Sequence, residues 1–334
     1  MKTMGPSTIF LVSLFSLLIP AQSAPDPTLD SNWQLWVKTH QKTYKDAEEE
    51  RTRRIIWEET LKLITVHNLE YSLGLHTYEI GMNHLGDMTY EEITDTMTGF
   101  QASDDPEPNI TYVPQEKVTP PEQIDWRDKG CVTPVMAQGG CNSCYAFSAL
   151  GAMEGQWQKW SNKLEALSEQ NLVDCSKVNG CSPGSLDDTF KYIKENGVNT
   201  NHSYPYKGKE QTCNFNSSNT VARCKGYIKI SPGSEEQLKQ IVGTIGPVSV
   251  AINFTKTFRS FTTGVYTDNK CETLLGLQNH AVLVVGYGKE NDEDYWLVKN
   301  SYGTGFGVGG YIKMRRNYRN HCGIANYIYY PIFS

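Results

Sequence analysis

The chain has 334 residues, enough for two domains at roughly 150 residues each. With 39% hydrophobic and 20% charged residues, 28 Gly and 15 Pro, its composition excludes disorder, collagen and coiled coil. A net charge of −6 gives no electrostatic reason to expect a nucleic-acid partner.

Met1-Lys2 opens a short positive region, Ile9 to Ile19 is an apolar run, and the small residues Ala21 and Ser23 follow. That pattern predicts a secretory signal peptide over residues 1–23. The run is too short to span a bilayer comfortably, and no later stretch nears the ~20 apolar residues required. A soluble product of the secretory pathway is expected, in a compartment where disulfides persist. Four Asn-X-Ser/Thr triplets, at Asn109, Asn201, Asn216 and Asn253, are candidate glycosylation sites in that setting.

Residues 30–70 read as helical, with Trp33, Trp36 and His40 on one face and Trp57, Leu61, Ile64 and Asn68 on another. Residues 101–121 shift to Asp, Pro, Glu, Asn and Thr and predict an exposed linker. Charge divides near that linker. Residues 25–119 carry 18 acids against 8 bases, and residues 120–334 carry 19 against 22. All nine cysteines lie between Cys131 and Cys322.

Beyond the linker, Ala146, Leu150, Met153 and Trp157 predict a buried helix stripe over residues 143–160. Ser185 is placed to cap a second helix, with Leu186, Phe190 and Ile193 inward and Gly197 as its stop. Ser234 and Gln237 form a capping box ahead of Leu238 and Ile241. Strands are expected at residues 248–253, 281–287, 295–299 and 311–314, which are rich in Val, Ile and aromatics. Helices first and strands afterwards predict two lobes of different class with a cleft between them.

The densest constellation is Gln138-Gly-Gly-Cys-Asn-Ser-Cys-Tyr-Ala-Phe-Ser148. Its Cys141 and Cys144 could form half of a zinc site, a redox pair, or one disulfide partner plus one nucleophile. Zinc lacks a second close Cys/His pair, and a redox pair should follow a strand. The third reading has a physical warrant. Cys144 falls at the first turn of a helix, where free N–H groups and the dipole stabilise a thiolate, so a depressed thiol pKa is expected. Of the histidines after it, His202, His280 and His321, only His280 directly precedes an apolar strand that would hold its ring. Asn300 ends the next strand and could orient it.

With these residues the sequence resembles the papain family of cysteine proteases, in its cathepsin L-like branch. DWRDKGCVTPV, GPVSVAIN, NHAVLVVGYG, YWLVKNSYG and NHCGIA occur in family order. Glu49, Arg53, Trp57, Ile64 and Asn68 match a family propeptide helix, and Gly81, Asn83, Leu85 and Asp87 match a second propeptide motif. The resemblance implies an α+β papain-like two-lobe fold, a helical lobe plus a β-barrel-like lobe, preceded by a mainly helical propeptide. The implied organisation is a signal peptide at 1–23, an inhibitory propeptide at 24–119 and a peptidase domain at 120–334.

It also implies roles. Cys144 is the nucleophile, His280 its ion-pair partner, Asn300 the orienting group and Gln138 an oxyanion donor. Gly184, Leu186, Ala251, Ala281, Tyr302 and Tyr327 line the substrate cleft, with an apolar pocket for the second residue before the scissile bond. The implied disulfides are Cys141–Cys181, Cys175–Cys213 and Cys271–Cys322, which leaves Cys131 and Cys224 unpaired or, as the alternative, joined in a fourth bridge. The expected product is a monomeric lysosomal or endosomal endopeptidase made as a zymogen, without metal or cofactor. Its expected partners are peptide substrates, its own propeptide and cystatin-like inhibitors. A catalytically weak or silent binding protein on the same fold is the alternative.

Several positions depart from the family pattern. Tyr145 and Tyr302 stand where Trp is usual, Asn142 replaces a Gly beside the nucleophile, Pro183 enters the cleft wall, and Thr60 replaces an Asn of the propeptide helix. Tyr302 is expected to shield the His280–Asn300 pair from water less well than a Trp. Asp87 is the carboxylate expected to trigger propeptide release in acid.

Overall fold

The computed structural model describes residues 24–103, 118–176 and 180–333. The signal-peptide segment, the Asn109 sequon and most of the linker lie outside the described residues. The chain divides into two compact units, residues 1–55 and 56–334. In the first, helix α1 (Asp30–Thr39) presents Trp33 and Trp36, whose rings stack 5.4 Å apart. Trp33 Nε1 donates to Glu50 at 3.3 Å, and Arg54 donates to the Asp26 carbonyl at 3.0 Å.

The helical residues expected over 30–70 form two helices. Helix α2 spans Ala47–Ser72, and between it and α1 the chain turns through Gln41 at φ 51°.

In the second unit, strand β1 (Tyr78–Ile80) and helix α3 (Tyr90–Met97) follow α2. Thr89 caps α3 in a reciprocal box with Glu92. After the linker come β2 (Ile124–Asp125), α4 (Cys144–Ser161), α5 (Glu169–Cys175), α6 (Leu186–Asn196), β3 (Val198–Asn199), β4 (Thr220–Ala222) and β5 (Gly226–Ile230). Then come α7 (Glu235–Thr244), β6 (Val248–Ile252), β7 (Phe261–Gly264), β8 (His280–Glu290), β9 (Glu293–Lys299), β10 (Tyr311–Arg315) and β11 (Ile328–Ile332). The expected caps form: Ser185 accepts from Asp188 N, Gly197 ends α6 at φ 77°, and Ser234 and Gln237 close their box.

The main antiparallel sheet runs β10-β9-β8-β6-β11-β5, with β2 added against β8. All four expected strands are present within it, with slightly different ends. The weaker signals β2, β5 and β11 carry no period-2 pattern strong enough to be read beforehand. Helix α4 buries Ala146, Leu150 and Met153, while Trp157 is only half-buried and Trp160 is 60% exposed. Its close seat on the sheet depends on size. A Cβ at Gly151 would stand 2.6 Å from Leu283 Cδ2. The core has two clusters, one dominated by sheet residues and one gathering α4, α6 and the residues that face them. The fold is mixed α+β.

Three disulfides link Cys141 to Cys181, Cys175 to Cys213 and Cys271 to Cys322, and Cys131, Cys144 and Cys224 are free and buried. Among the described residues no helix is long and apolar enough to cross a membrane. Of the described sequons, Asn201 donates its amide to Glu169 and Asn253 donates to the Leu277 carbonyl, whereas Asn216 is exposed.

Candidate active site

Cys144 is the first residue of α4 and Ser143 its N-cap. Ser148, one turn further on, donates to the Val282 carbonyl at 2.7 Å and lies 2.6 Å from Ser249 Oγ. The helix that begins at Cys144 is thereby tied to both β8 and β6. Strand β8 starts at His280, and the backbone N–H of the next residue, Ala281, points to the Cys144 sulfur at 3.4 Å. One tertiary contact thus joins residues 137 positions apart.

His280 Nε2 lies 2.9 Å from Asn300 Oδ1, which also accepts from Ser301 N at 2.8 Å. Because Oδ1 only accepts, His280 carries its proton on Nε2. Nδ1 is then the basic nitrogen, and it has no hydrogen-bond partner. The Tyr302 ring lies 5.1 Å from the imidazole. Gln138 is oriented by Ser301, whose hydroxyl donates to Gln138 Oε1 at 2.5 Å, so its Nε2 is left to donate elsewhere. Ser301 escaped the sequence reading because a Ser after a strand end looks like any turn residue.

The cleft is occupied by the chain itself. Met97, at the end of α3, presents its carbonyl to Gln138 Nε2 at 3.2 Å and to the Tyr302 hydroxyl at 3.2 Å. Gly99 N–H donates to Cys144 Sγ at 3.1 Å. Phe100 N–H bonds the Asn279 carbonyl at 3.0 Å, and Gly184 exchanges hydrogen bonds with Gly99 O at 2.9 Å and Gln101 N at 3.0 Å. Phe100 bridges Gly184 in parallel. Its ring packs in one buried cluster with Leu186, Ala251, Ala281 and Tyr327, 5.3 Å from the Tyr327 ring. The four expected pocket residues are therefore together, filled by an apolar side chain of the first segment. No sequence signal singled out Met97, Gly99 or Phe100, which lie just before the compositional linker.

The strand covers the thiol with a backbone donor. An N–H, not a carbonyl carbon, faces the sulfur.

Covering changes the electrostatics. Burial pushes the Cys144 thiol up to about 12, against the opposing pull of the Ala281 and Gly99 N–H groups. Burial likewise pulls His280 down to about 4, although the Asn300 bond favours its charged form. The thiol pKa expected from helix position to be depressed is instead raised here. The dipole of one helix end contributes less than full removal from water. In this covered form thiol and imidazole are neutral. In the same covered form Tyr302 is fully buried, its hydroxyl donating to the Met97 carbonyl, and His280 and Asn300 are buried with it. Tyr145, the other Trp replacement, is buried with its hydroxyl on the Gly180 carbonyl at 2.7 Å.

Docking of residues 56–103 relies on backbone and aromatic contacts. Strand β1 pairs antiparallel with β7, and Asn83 Nδ2 donates to the Arg259 carbonyl at 2.7 Å. Arg259 is buried, donates to the Thr60 hydroxyl at 3.1 Å, and also bonds the Met88 carbonyl. Burial lowers its pKa, while Glu91 and Glu92 oppose that shift. Thr60, a departure from the propeptide pattern, thus serves a buried guanidinium. Asp87 is buried in the turn before α3.

A papain family cysteine protease profile matches residues 120–332, and a cathepsin propeptide inhibitor domain profile matches residues 33–93. The chain is 48% identical over 330 residues to cathepsin S of Mus musculus, covering 97% of this chain and 96% of that protein. To cathepsin S of Bos taurus it is 50% identical over 312 residues, covering 92% and 93%. Among solved structures it is similar to digestive procathepsin L 3 of the Tenebrio molitor larval midgut, with TM-score 0.86 and 37% identity over 92% of this chain and all of that one. A recombinant stem bromelain precursor gives TM-score 0.83 at 31% identity, covering 92% and 99%.

Proposed function

Since the chain belongs to the papain family of cysteine proteases and carries the family's propeptide inhibitor domain, we propose that Cys144, His280, Asn300 and Gln138 are its catalytic set. Once the cleft is uncovered, water returns and the burial penalty that holds thiol and imidazole neutral falls. The proton of Cys144 then passes to His280 Nδ1, forming an ion pair beside the helix N-terminus. The thiolate attacks the peptide carbonyl. Gln138 Nε2 and the Cys144 N–H receive the oxyanion, and His280, its ring held through Nε2 by Asn300, protonates the leaving amine. The observation that supports this reading is the meeting of the start of α4 with the start of β8, where the Ala281 N–H, next to His280, reaches Cys144 Sγ at 3.4 Å and His280 Nε2 lies 2.9 Å from Asn300 Oδ1.

The pocket formed by Leu186, Ala251, Ala281 and Tyr327 supports an apolar preference at the second residue before the scissile bond, and Phe100 occupies it in this form. Residues 24–119 act as the intramolecular inhibitor and are released by cleavage within residues 101–121, with the mature chain beginning near Pro120. The product acts in the lysosome or endosome, in keeping with its similarity to cathepsin S proteins and its predicted signal peptide. Asn216 is the described sequon best exposed for glycosylation.

The test is labelling of the acid-processed chain by an epoxide thiol inhibitor together with a peptide-library cleavage profile. Labelling lost in Cys144→Ala, with cleavage of unmodified internal peptide bonds, supports the reading. Labelling without cleavage points to a silent protein on the same fold.

A further inference from the structure

The two donors assigned to the oxyanion, Gln138 Nε2 and the Cys144 N–H, lie at opposite ends of a short loop without regular secondary structure. Gly139 sits in the left-handed region at φ 63°, and a Cβ at Gly139 or Gly140 would meet nothing within 4 Å. Such a backbone has many accessible conformations, so contacts from outside must set the spacing of its ends. Ser301 fixes one end: its carbonyl accepts from Gln138 N at 2.8 Å, and its hydroxyl donates to Gln138 Oε1. The Cys141–Cys181 disulfide anchors the middle.

One side chain bridges the two ends. The Tyr206 hydroxyl donates to the Gln138 carbonyl at 2.8 Å and lies 2.7 Å from Oγ of Ser143, the N-cap of α4 and the residue before Cys144. Ser143 Oγ is in turn 2.9 Å from the Cys141 carbonyl. Burial pushes the phenol up to about 12, so it keeps its proton at neutral and acid pH. The ring is held as firmly as the hydroxyl. It packs edge-on against Phe147 of α4, with 5.0 Å between centroids. Just after Tyr206, Lys207 N donates to Gln170 Oε1 at 2.7 Å, and Gln170 Nε2 donates to the Lys209 carbonyl at 2.8 Å. The Cys175–Cys213 disulfide ties the same segment to α5.

We propose that Tyr206 is a positioning residue for the oxyanion site: by clamping Gln138 to Ser143 it holds Gln138 Nε2 at a fixed separation from the Cys144 N–H. Donors already spaced for the oxyanion need no reorganisation when the charge forms. The clamp therefore acts on the oxyanion and not on the thiol–imidazole pair. This inference rests on the peptidase reading above.

The experiment compares the acid-processed unaltered enzyme with Tyr206→Phe, which keeps the ring on Phe147 and removes only the hydroxyl. Hydrolysis of a peptide amide is measured beside alkylation of Cys144 by iodoacetamide, a reaction of the thiolate that forms no oxyanion. Tyr206→Phe should lower kcat about 10-fold, the value of one net hydrogen bond, with KM nearly unchanged. The alkylation rate and its pH profile should not move. In a Gln138→Ala background the same change should cost less than about 2-fold, because its effect passes through Gln138. An unchanged kcat, a fall in alkylation equal to the fall in kcat, or a full 10-fold loss added to Gln138→Ala would each overturn the clamp and leave the peptidase reading intact. Failure of the unaltered enzyme to cleave the peptide amide would overturn both.

Discussion

Replacement of Gly99 by Ala should open the zymogen. A Cβ at Gly99 would lie 1.6 Å from the Asn142 carbonyl oxygen and 2.3 Å from its carbon. Non-bonded carbon and oxygen do not approach closer than about 3 Å, so the strand must move by more than about 1 Å. Gly99 N–H to Cys144 Sγ, Gly184 N–H to Gly99 O, Gln101 N–H to Gly184 O and Phe100 N–H to Asn279 O all depend on its present seat. At a net value of about 1 kcal/mol each, these bonds contribute about 4 kcal/mol, and burial of Phe100 adds about 2 kcal/mol. Loss of half this total weakens the local closure by about 3 kcal/mol, or about 100-fold. The thiol in the closed form, pushed up to about 12 by burial, stays un-ionised at pH 7. Its reaction with a neutral epoxide inhibitor should therefore report opening of the cleft. The full-length chain, held at pH 7 before any processing, is labelled over time. Gly99→Ala should label about 100-fold faster than the unaltered chain, with Cys144→Ala as the unlabelled control. Equal labelling rates in a normally folded Gly99→Ala chain would refute the argument that this strand seals the nucleophile.

Cys144→Ser should fold and keep all three disulfides, yet lose peptidase activity by several orders of magnitude after processing by an added protease. Retained hydrolysis would sink the thiolate mechanism. A library profile of the processed enzyme should favour Leu, Val, Met or Phe at the second residue before the scissile bond and disfavour Arg. An Arg preference would require a carboxylate that the pocket cluster does not contain. The last prediction concerns acid. His67 Nε2 donates to the Tyr78 carbonyl at 3.0 Å, and its ring stacks 4.0 Å from that of His76. Burial first, and then His76, lower its pKa, against Tyr78, Glu70 and Asp268. The docked state therefore favours neutral His67. This contribution to docking is intact above the free value of about 6.5 and is lost as pH falls from there toward the depressed value. His67→Gln should consequently need more acid for conversion, with its midpoint shifted down by about half a pH unit in band-shift assays. An unchanged or higher midpoint would remove His67 from the release step.

The local code of this protein is legible in its sequence. Ser185, Ser234, Gln237 and Gly197 act through neighbours within four residues, so their caps can be read without a fold. The sheet runs near residues 248 and 281 are buried on both faces, whereas the run at 311 alternates, with Ile312 and Met314 inward and Lys313 half-buried between them. The spacing of Cys144, His280 and Asn300, with their flanking motifs, identifies the family because each group sits at an element end that the chemistry requires. What remained unreadable depends on long-range contact. Strand β1 has only three residues and exists because β7 pairs with it. Gly99 and Phe100 look like ordinary residues before a linker until they lie across Cys144 and Gly184. The titration state is the clearest case. The sequence places a thiol at a helix start with an imidazole partner and so predicts an easily ionised group. Only the tertiary structure shows what covers it. Whether a charge forms depends on the water excluded by every surrounding segment, and residues 97–101 exclude that water from 43 or more positions away in the chain.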